Sequence, residues 1–457
     1  MGDMKCLRLP SILFFILLAF CGMFHANALP GSLSIPWPEP DDDDLTIRVS
    51  VAGPGDELYV WWGHIALIIE DRRTQESRLY DYGLFSFETD HFYTNFAKGR
   101  LLFSCAASPA VRNIAQFILT NRDVTFYTLD LPPETKELVR AFAENNVRPE
   151  NRNYLYHHFK DNCATRIRDI IDLATNGQFS EAFLDAPGRF TLRQHVLRHT
   201  WFAPIPEWFM SNSMGQDIDV LTTVWQEMFL PSEIGARIEN FRYRDMYGRE
   251  RNLVKSVDVI NRAVDRPPVL DTPRRQWPRQ LLLSLCIAGI FALLLARRRK
   301  PAAAIALGLS QSFLGIFFGI VGFLDFFMSF FTQHDYTWHN MNLLFVNPLL
   351  LAAIPLGILY AFSRNTARRH LCEFLLKALW SLVLLGGIVS MLLQLLPQFW
   401  QQNQISLALV LPFAAMLSFV PDIAGKVRQR YFPRSSKRPN NEKVQKYGNQ
   451  GYSRIGH

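Results

Sequence analysis

Past Trp277 the chain carries five long apolar stretches, about 280–296, 303–328, 346–363, 375–395 and 404–420. Each is long enough to cross a hydrocarbon layer as a helix, at a rise of about 1.5 Å per residue. A segment in lipid must satisfy its own backbone N–H and C=O groups, so helices are expected there. Clusters of positive charge punctuate these stretches. Arg297-Arg298-Arg299-Lys300 separates the first two, and 364–370 separates the third and fourth. The tail after Gly425 carries Lys426, Arg428, Arg430, Arg434, Lys437, Arg438, Lys443, Lys446 and Arg454 against Glu442. With five crossings, all three clusters fall on one side, and the positive-inside rule makes that side cytoplasmic.

The other end of the chain agrees. Lys5 and Arg8 precede an apolar run from Ile12 to Phe20, and Ala26-Asn27-Ala28 supplies small residues for cleavage. This predicts a secretory signal over 1–28. The domain between signal and spans, together with the loop from Phe331 to Phe345, is therefore expected outside the inner (cytoplasmic) membrane of a bacterium. The net charge of +7 resides in the tail and marks topology. With no aromatic-interleaved basic surface, nucleic acid is not an expected partner.

Residues 29–44 read as a proline-rich linker ending in four aspartates. Leu45, Ile47, Val49 and Val51 alternate with polar residues, the period of a half-buried strand. Further strands are expected over Tyr59–Ile69, Arg78–Leu84, Arg100–Ser104 and Val124–Leu131. A helix is expected from Pro133, where proline suits the first turn. A second begins at Cys163 behind Asp161 or Asn162 as cap, with Ile167, Ile170, Ile171 and Ala174 on one face. The order predicts an α+β domain over 45–177. Residues 178–279 read as an irregular or helical extension to the membrane, with 241–266 charged and solvated. An all-α five-helix domain over 280–422 and a basic tail over 423–457 complete the chain.

Cys163 at a helix start is the most informative single residue. The unpaired N–H groups of a first turn favour a thiolate and can hold a developing oxyanion. Taken alone, a cysteine there is as well explained as a small core residue. His64, in Trp61-Trp62-Gly63-His64-Ile65-Ala66-Leu67, supplies a strand-borne imidazole to act as base. Asp81 on the next strand is placed to orient that ring or to serve as an edge carboxylate. His91, His157 and His158 are the alternative bases, and Arg166, one turn into the helix, adds positive potential. Cys105 and Cys163 are the two cysteines of the exported domain, and a disulfide between them is the competing reading. No metal centre and no cofactor are expected: His195 and His199 lack the glutamate of an HExxH motif, and no phosphate-cradling glycine loop is present.

The ordered succession of Gly55-Asp56-Glu57-Leu58, Trp62-Gly63-His64, Tyr80-Asp81-Tyr82-Gly83, 92–99, Tyr154 to Cys163 and Thr165-Arg166 resembles the Lnb-type periplasmic domain of bacterial membrane proteins. The stretches 195–201 and 215–217 match as well. So do His334, Asn340-Met341-Asn342-Leu343-Leu344 and Asn347-Pro348-Leu349, and the resemblance spans nearly the whole chain except the tail. It implies a permuted papain-like (NlpC-like) fold with histidine before cysteine, and a lipoprotein N-acyltransferase. By resemblance Cys163 is the nucleophile, His64 the base, and Asn162 or Asp81 a supporting polar group. The implied partners are a membrane phospholipid as acyl donor and a diacylated lipoprotein as acceptor. Arg166, His334 and Asn342 are expected near the substrates, with Asn340 beside them. The rival readings are a membrane-anchored thiol amidase acting on peptidoglycan and a non-enzymatic disulfide-bonded scaffold.

Overall fold

A computed structural model describes residues 34–85 and 92–423. The expected signal over 1–28, His91 and the basic tail from 424 onward lie outside the described residues. Within them the chain is α+β: a sheet domain comes first, then a helical region with four candidate membrane spans.

Strands β1 (Leu45–Ala52), β2 (His64–Asp71), β3 (Glu76–Leu84), β4 (Leu101–Pro109), β5 (Val124–Leu129) and β6 (Asn153–Tyr156) form one antiparallel sheet. Its seventh strand, Val254–Asn261, pairs with β5 at the edge. The full order is Val254–Asn261, β5, β1, β2, β3, β4, β6. That edge strand comes from the stretch expected to be solvated, so the sheet does not close at residue 177. Val254, Ile260 and the neighbouring Leu253 are its buried positions.

Alternation sorts the two faces. Ile47, Val49, Ile65, Leu67 and Tyr80 pack against Ala164, Ile167, Ile170 and Ile171 of the cysteine helix, Cys163–Ala174. Ala66, Ile68, Leu79 and Phe126 pack against Ala110 and Ile114 of a helix, Ala110–Leu119, which strand-period reasoning missed.

Tyr59 to Trp62 is not strand. A 3-10 turn occupies Leu58–Val60, and Gly63 takes φ +83, where an added Cβ would stand 2.8 Å from the Ala52 carbonyl oxygen. Only glycine turns there without strain, so His64 is the first residue of β2 and sits at the end of the sheet.

The apolar C-terminal region falls into helical segments Trp277–Ala296, Pro301–Phe331, Met341–Phe362 and Thr366–Leu393. The expected fifth span is a shorter helix, Gln404–Leu417, with Pro412 inside it. At 14 residues it covers about 21 Å, less than the roughly 30 Å of a hydrocarbon core. Its flanks extend it: Gln401 donates to the Met214 carbonyl at 3.0 Å, while Asp422 accepts from Lys377 at 2.8 Å at the other end of the bundle. The basic loop after the first span reaches the fourth at that same end, where Arg298 approaches Glu373 at 3.9 Å.

The extension locks the two halves together. Helix Pro204–Ser213 stacks Trp208 on Phe317 of the second span. At its end Asn212 is fully buried. Its Nδ2 donates to Asp325 at 2.7 Å, its Oδ1 accepts from Ser406 at 2.7 Å, and its carbonyl accepts from Asn340 and Asn342. Leucine at this position would leave a buried carboxyl and a buried hydroxyl without partners. Asn212→Leu is expected to destabilise the detergent-solubilised protein by about 3 kcal/mol, read as a lowered thermal midpoint; an unchanged midpoint would remove Asn212 from this role.

Candidate active site

The cysteine helix starts on a capping box. Asn162 Oδ1 accepts from the Thr165 N–H at 3.0 Å, and Thr165 Oγ1 accepts from the Asn162 N–H at 2.8 Å. The Asn162 amide nitrogen donates to the His158 and Phe229 carbonyls. Cys163 follows as the first helical residue, half-buried, where N–H groups lack intrahelical acceptors.

His64 reaches it from the sheet end. By strand parity His64 shares the face of Ala66 and Ile68, and Phe117 of helix Ala110–Leu119 lies edge-on to its ring at 5.9 Å. From the first position of β2 the imidazole nevertheless lies near enough to Cys163 for the sulfur to favour its charged form. On its other side His64 Nε2 lies 3.0 Å from Asp81 Oδ1. A β-bulge between Asp81 and Leu84 breaks the register of β3 against β4, a device that re-aims a side chain. The Gly83 N–H donates to Asp81 Oδ1 at 2.7 Å, and a Cβ on Gly83 would stand 2.8 Å from His64 Cε1.

The electrostatics follow from this packing. Burial works against a charged imidazole, but the Asp81 carboxylate and the Cys163 sulfur outweigh it and raise His64 from 6.5 to about 10. Burial likewise works against the Asp81 carboxylate, yet His64 and the Gly83 N–H hold it below its ordinary value. The ring is therefore an imidazolium at neutral pH, able to donate a proton to a leaving group.

The alternative bases are engaged elsewhere. His157 Nε2 lies 2.7 Å from Asp335 of the loop after the second span, and its Nδ1 accepts from Phe159 and Lys160 N–H groups. His158 packs edge-on against Tyr156 and Tyr336, and burial with His157 and His334 nearby lowers it to about 4. Cys105 and Cys163 are both free. Cys105 sits in the core at 2% exposure, its thiol pushed up by burial to about 12. The disulfide-bonded scaffold thus finds no bridge in this fold. No group of His, Cys, Asp or Glu able to hold a metal ion occurs among the described residues.

The residues expected near substrate divide. Asn162 places both amide protons and its side-chain oxygen in the cap and the Phe229 loop. Arg166 pairs with Asp161 at 2.6 and 2.8 Å and lies over the Tyr154 ring at 4.4 Å, bracing the helix start. Asn342 is fully buried in the membrane half, where its amide nitrogen donates to the Asn212 carbonyl. Its companion Asn340 bonds the same carbonyl. His334 stands edge-on to Tyr336, and its Nδ1 lies 2.8 Å from Thr332 Oγ1.

Sequence reasoning missed Tyr156, whose phenol burial and the Cys163 charge hold above its ordinary range. Tyr156 stacks on Phe103, which touches Phe85, which touches Tyr59. An aromatic row thus runs beside the sulfur to the membrane-side loop at Tyr336. Alternating aromatics at 154 and 156 were the available signal.

Residues 39–197 match the family model of the Lnb N-terminal periplasmic domain, and residues 273–421 match that of the Lnb transmembrane domain. The chain is an Lnb-type protein. It is a membrane protein with a periplasmic N-terminal domain, and the paired His64 and Cys163 both fall inside the matched periplasmic part. No curated protein and no solved structure matches this Lnb-type chain.

Two variants test the geometry. Asp81→Asn removes the charge that raises His64, so its titration followed by NMR should fall from about 10 toward 6.5. A raised imidazole stabilises the fold fully below its ordinary value and loses that contribution as pH rises through about 10. The midpoint difference between wild type and Asp81→Asn should therefore shrink as pH climbs from 6 toward 10. Gly83→Ala should displace the ring and change the rate at which iodoacetamide alkylates Cys163 with the fold retained, read by circular dichroism beside the rate; an unaltered rate would free the ring from this contact.

Proposed function

We propose that this Lnb-type protein is a thiol acyltransferase. It moves an acyl chain from a membrane phospholipid, through a thioacyl-Cys163 intermediate, to the N-terminal amine of diacylglyceryl-cysteine lipoproteins. The reading rests on one observation above all. The thiol that meets a buried imidazole–carboxylate pair begins a helix whose lead-in, His157 to Lys160, is bonded to a loop between two membrane spans.

In this reading the domain is papain-like with permuted order, histidine on the strand preceding cysteine on the helix. The segment from Gln401 to Asp422 acts as the fifth crossing, because its two flanks bond to opposite ends of the bundle. The Arg298 and Glu373 end faces the cytoplasm with the tail, and the protein resides in the inner membrane of the bacterium.

The steps follow from the charges. The Cys163 thiolate attacks the ester carbonyl carbon; the S–C bond forms as the ester C–O bond breaks. The His64 imidazolium passes its proton to the departing glycerol oxygen, releasing lysophospholipid. First-turn N–H groups hold the developing oxyanion. The neutral amine of the lipoprotein then attacks the thioester, an N–C bond replaces the S–C bond, and His64 takes the amine proton. Thiolate and imidazolium are restored. Asp81 orients the ring and balances its charge through both steps.

A peptidoglycan amidase would use the same dyad but has no need of a multi-span domain bonded to the lead-in of its nucleophile. Cys163→Ser, expressed in place of the wild type, should lower N-acylated lipoprotein by about a thousandfold or more, measured by mass spectrometry of lipoprotein N-termini. Unchanged triacylation would reject the assignment, and lost peptidoglycan cleavage in its place would favour the amidase.

A further inference from the structure

Arg122 is buried to 5% exposure at the same end of the sheet as His64, and the catalytic steps above do not use it. The strand registers place it there. Ala52 pairs with His64 on one side and with Val124 on the other. Arg122 precedes Val124 by two residues, after a left-handed turn at Asn121 with φ 53. Its Nε donates to the carbonyl of Gly53, the residue after Ala52, at 2.8 Å. Its guanidinium lies 4.8 Å from the centre of the Phe117 ring, whose edge contacts the His64 ring. One phenyl thus separates the two cations.

Arg122 Nη2 is buried and has no hydrogen-bond partner among the described residues. A guanidinium nitrogen taken out of water and left unpaired is costly. A second cation increases that cost: Arg266, which binds the Asn121 and Thr120 carbonyls and pairs with Asp56 at 2.9 Å, lowers Arg122 together with burial to about 10. A buried guanidinium with a free donor and a second cation acting on it is the arrangement that an anionic oxygen satisfies.

The position decides which anionic oxygen. Arg122 makes no hydrogen bond to the sulfur, His64 or Asp81, and the Phe117 ring stands between it and the imidazole, while the sulfur is near enough to favour its charge. A phosphodiester on the glycerol of an acyl donor lies several bonds from the ester under attack and bridges that gap. We propose that Arg122 is a specificity-determining residue that binds the phosphate of the donor lipid through its unpaired Nη2. This rests on the acyltransferase reading and adds a reason for the donor to be a phospholipid.

The test uses the full chain in vesicles with a synthetic diacylated lipopeptide as acceptor and two donors with identical acyl chains, phosphatidylethanolamine and diacylglycerol. Formation of N-acyl lipopeptide is followed with each. Wild type should prefer the phospholipid, and Arg122→Gln should lose about tenfold to a hundredfold with the phospholipid alone, leaving the diacylglycerol rate unchanged. An equal effect on both donors, including no effect, overturns the proposal. Should the glutamine variant fail to fold, Arg122→Lys keeps the charge without the fork and should show the same donor-selective loss at smaller size; equality between donors overturns it there too. Wild type that forms no product from either donor contradicts the acyltransferase reading itself, a result distinct from the failure of Arg122 alone.

Discussion

A charged imidazole is held inside the protein between a carboxylate and a sulfur, and the local architecture is arranged around that charge. An unpaired imidazolium at this depth would release its proton. Asp81 prevents this, and its own burial is offset by the ring and by the Gly83 N–H. The bulge in β3 and the two glycines follow from the same demand. Gly63 turns the chain so that β2 begins at His64, and Gly83 leaves room for the ring. Each removes a Cβ where a side chain would push His64 out of contact.

Cys163 is fixed by a different set of bonds that also fasten the membrane half. The six residues His157 to Asn162 do both. Asn162 closes the cap and binds the Phe229 carbonyl, while His157 and Lys160 share the Asp335 carboxylate of the loop after the second span. His157 and Lys160 hold that carboxyl well below its ordinary range, so it stays ionised across physiological pH. Displacement of the outer loop would be felt at the start of the cysteine helix. This coupling gives the membrane domain a mechanical connection to the thiol and places the aromatic row from Tyr59 to Tyr336 along their shared border.

Much of the frame was legible because it rests on local periodicity. Apolar runs after Trp277, the alternation of Leu45 to Val51 and the capped, apolar-faced helix at Cys163 are short-range signals. His64 and Asp81 were legible as neighbours because two adjacent strands with a tight connection must pair antiparallel. What escaped depends on contacts distant in sequence. Val254–Asn261 reads as charged and solvated because it follows the charge-dense stretch 242–251, and its pairing with β5 spans over a hundred residues. Asn162 and Asn342 have the chemistry of ligand contacts, but their amide nitrogens bond to the Phe229 and Asn212 carbonyls, and no motif announces those partners. Gly83, Phe117 and Arg122 touch or flank the imidazole only because a bulge and a strand register bring three segments to one sheet end.

The central claim is that one sulfur, activated by one imidazole, carries an acyl group drawn from the bilayer. The most direct measurement is the peptide mass of Cys163 after the full chain is incubated with phospholipid of defined chain length and quenched before any amine acceptor is added. The account predicts a mass increase equal to that acyl chain on Cys163, removed by neutral hydroxylamine and absent in His64→Ala. An unmodified Cys163 beside released lysophospholipid, or an acyl group found on another residue, would contradict it.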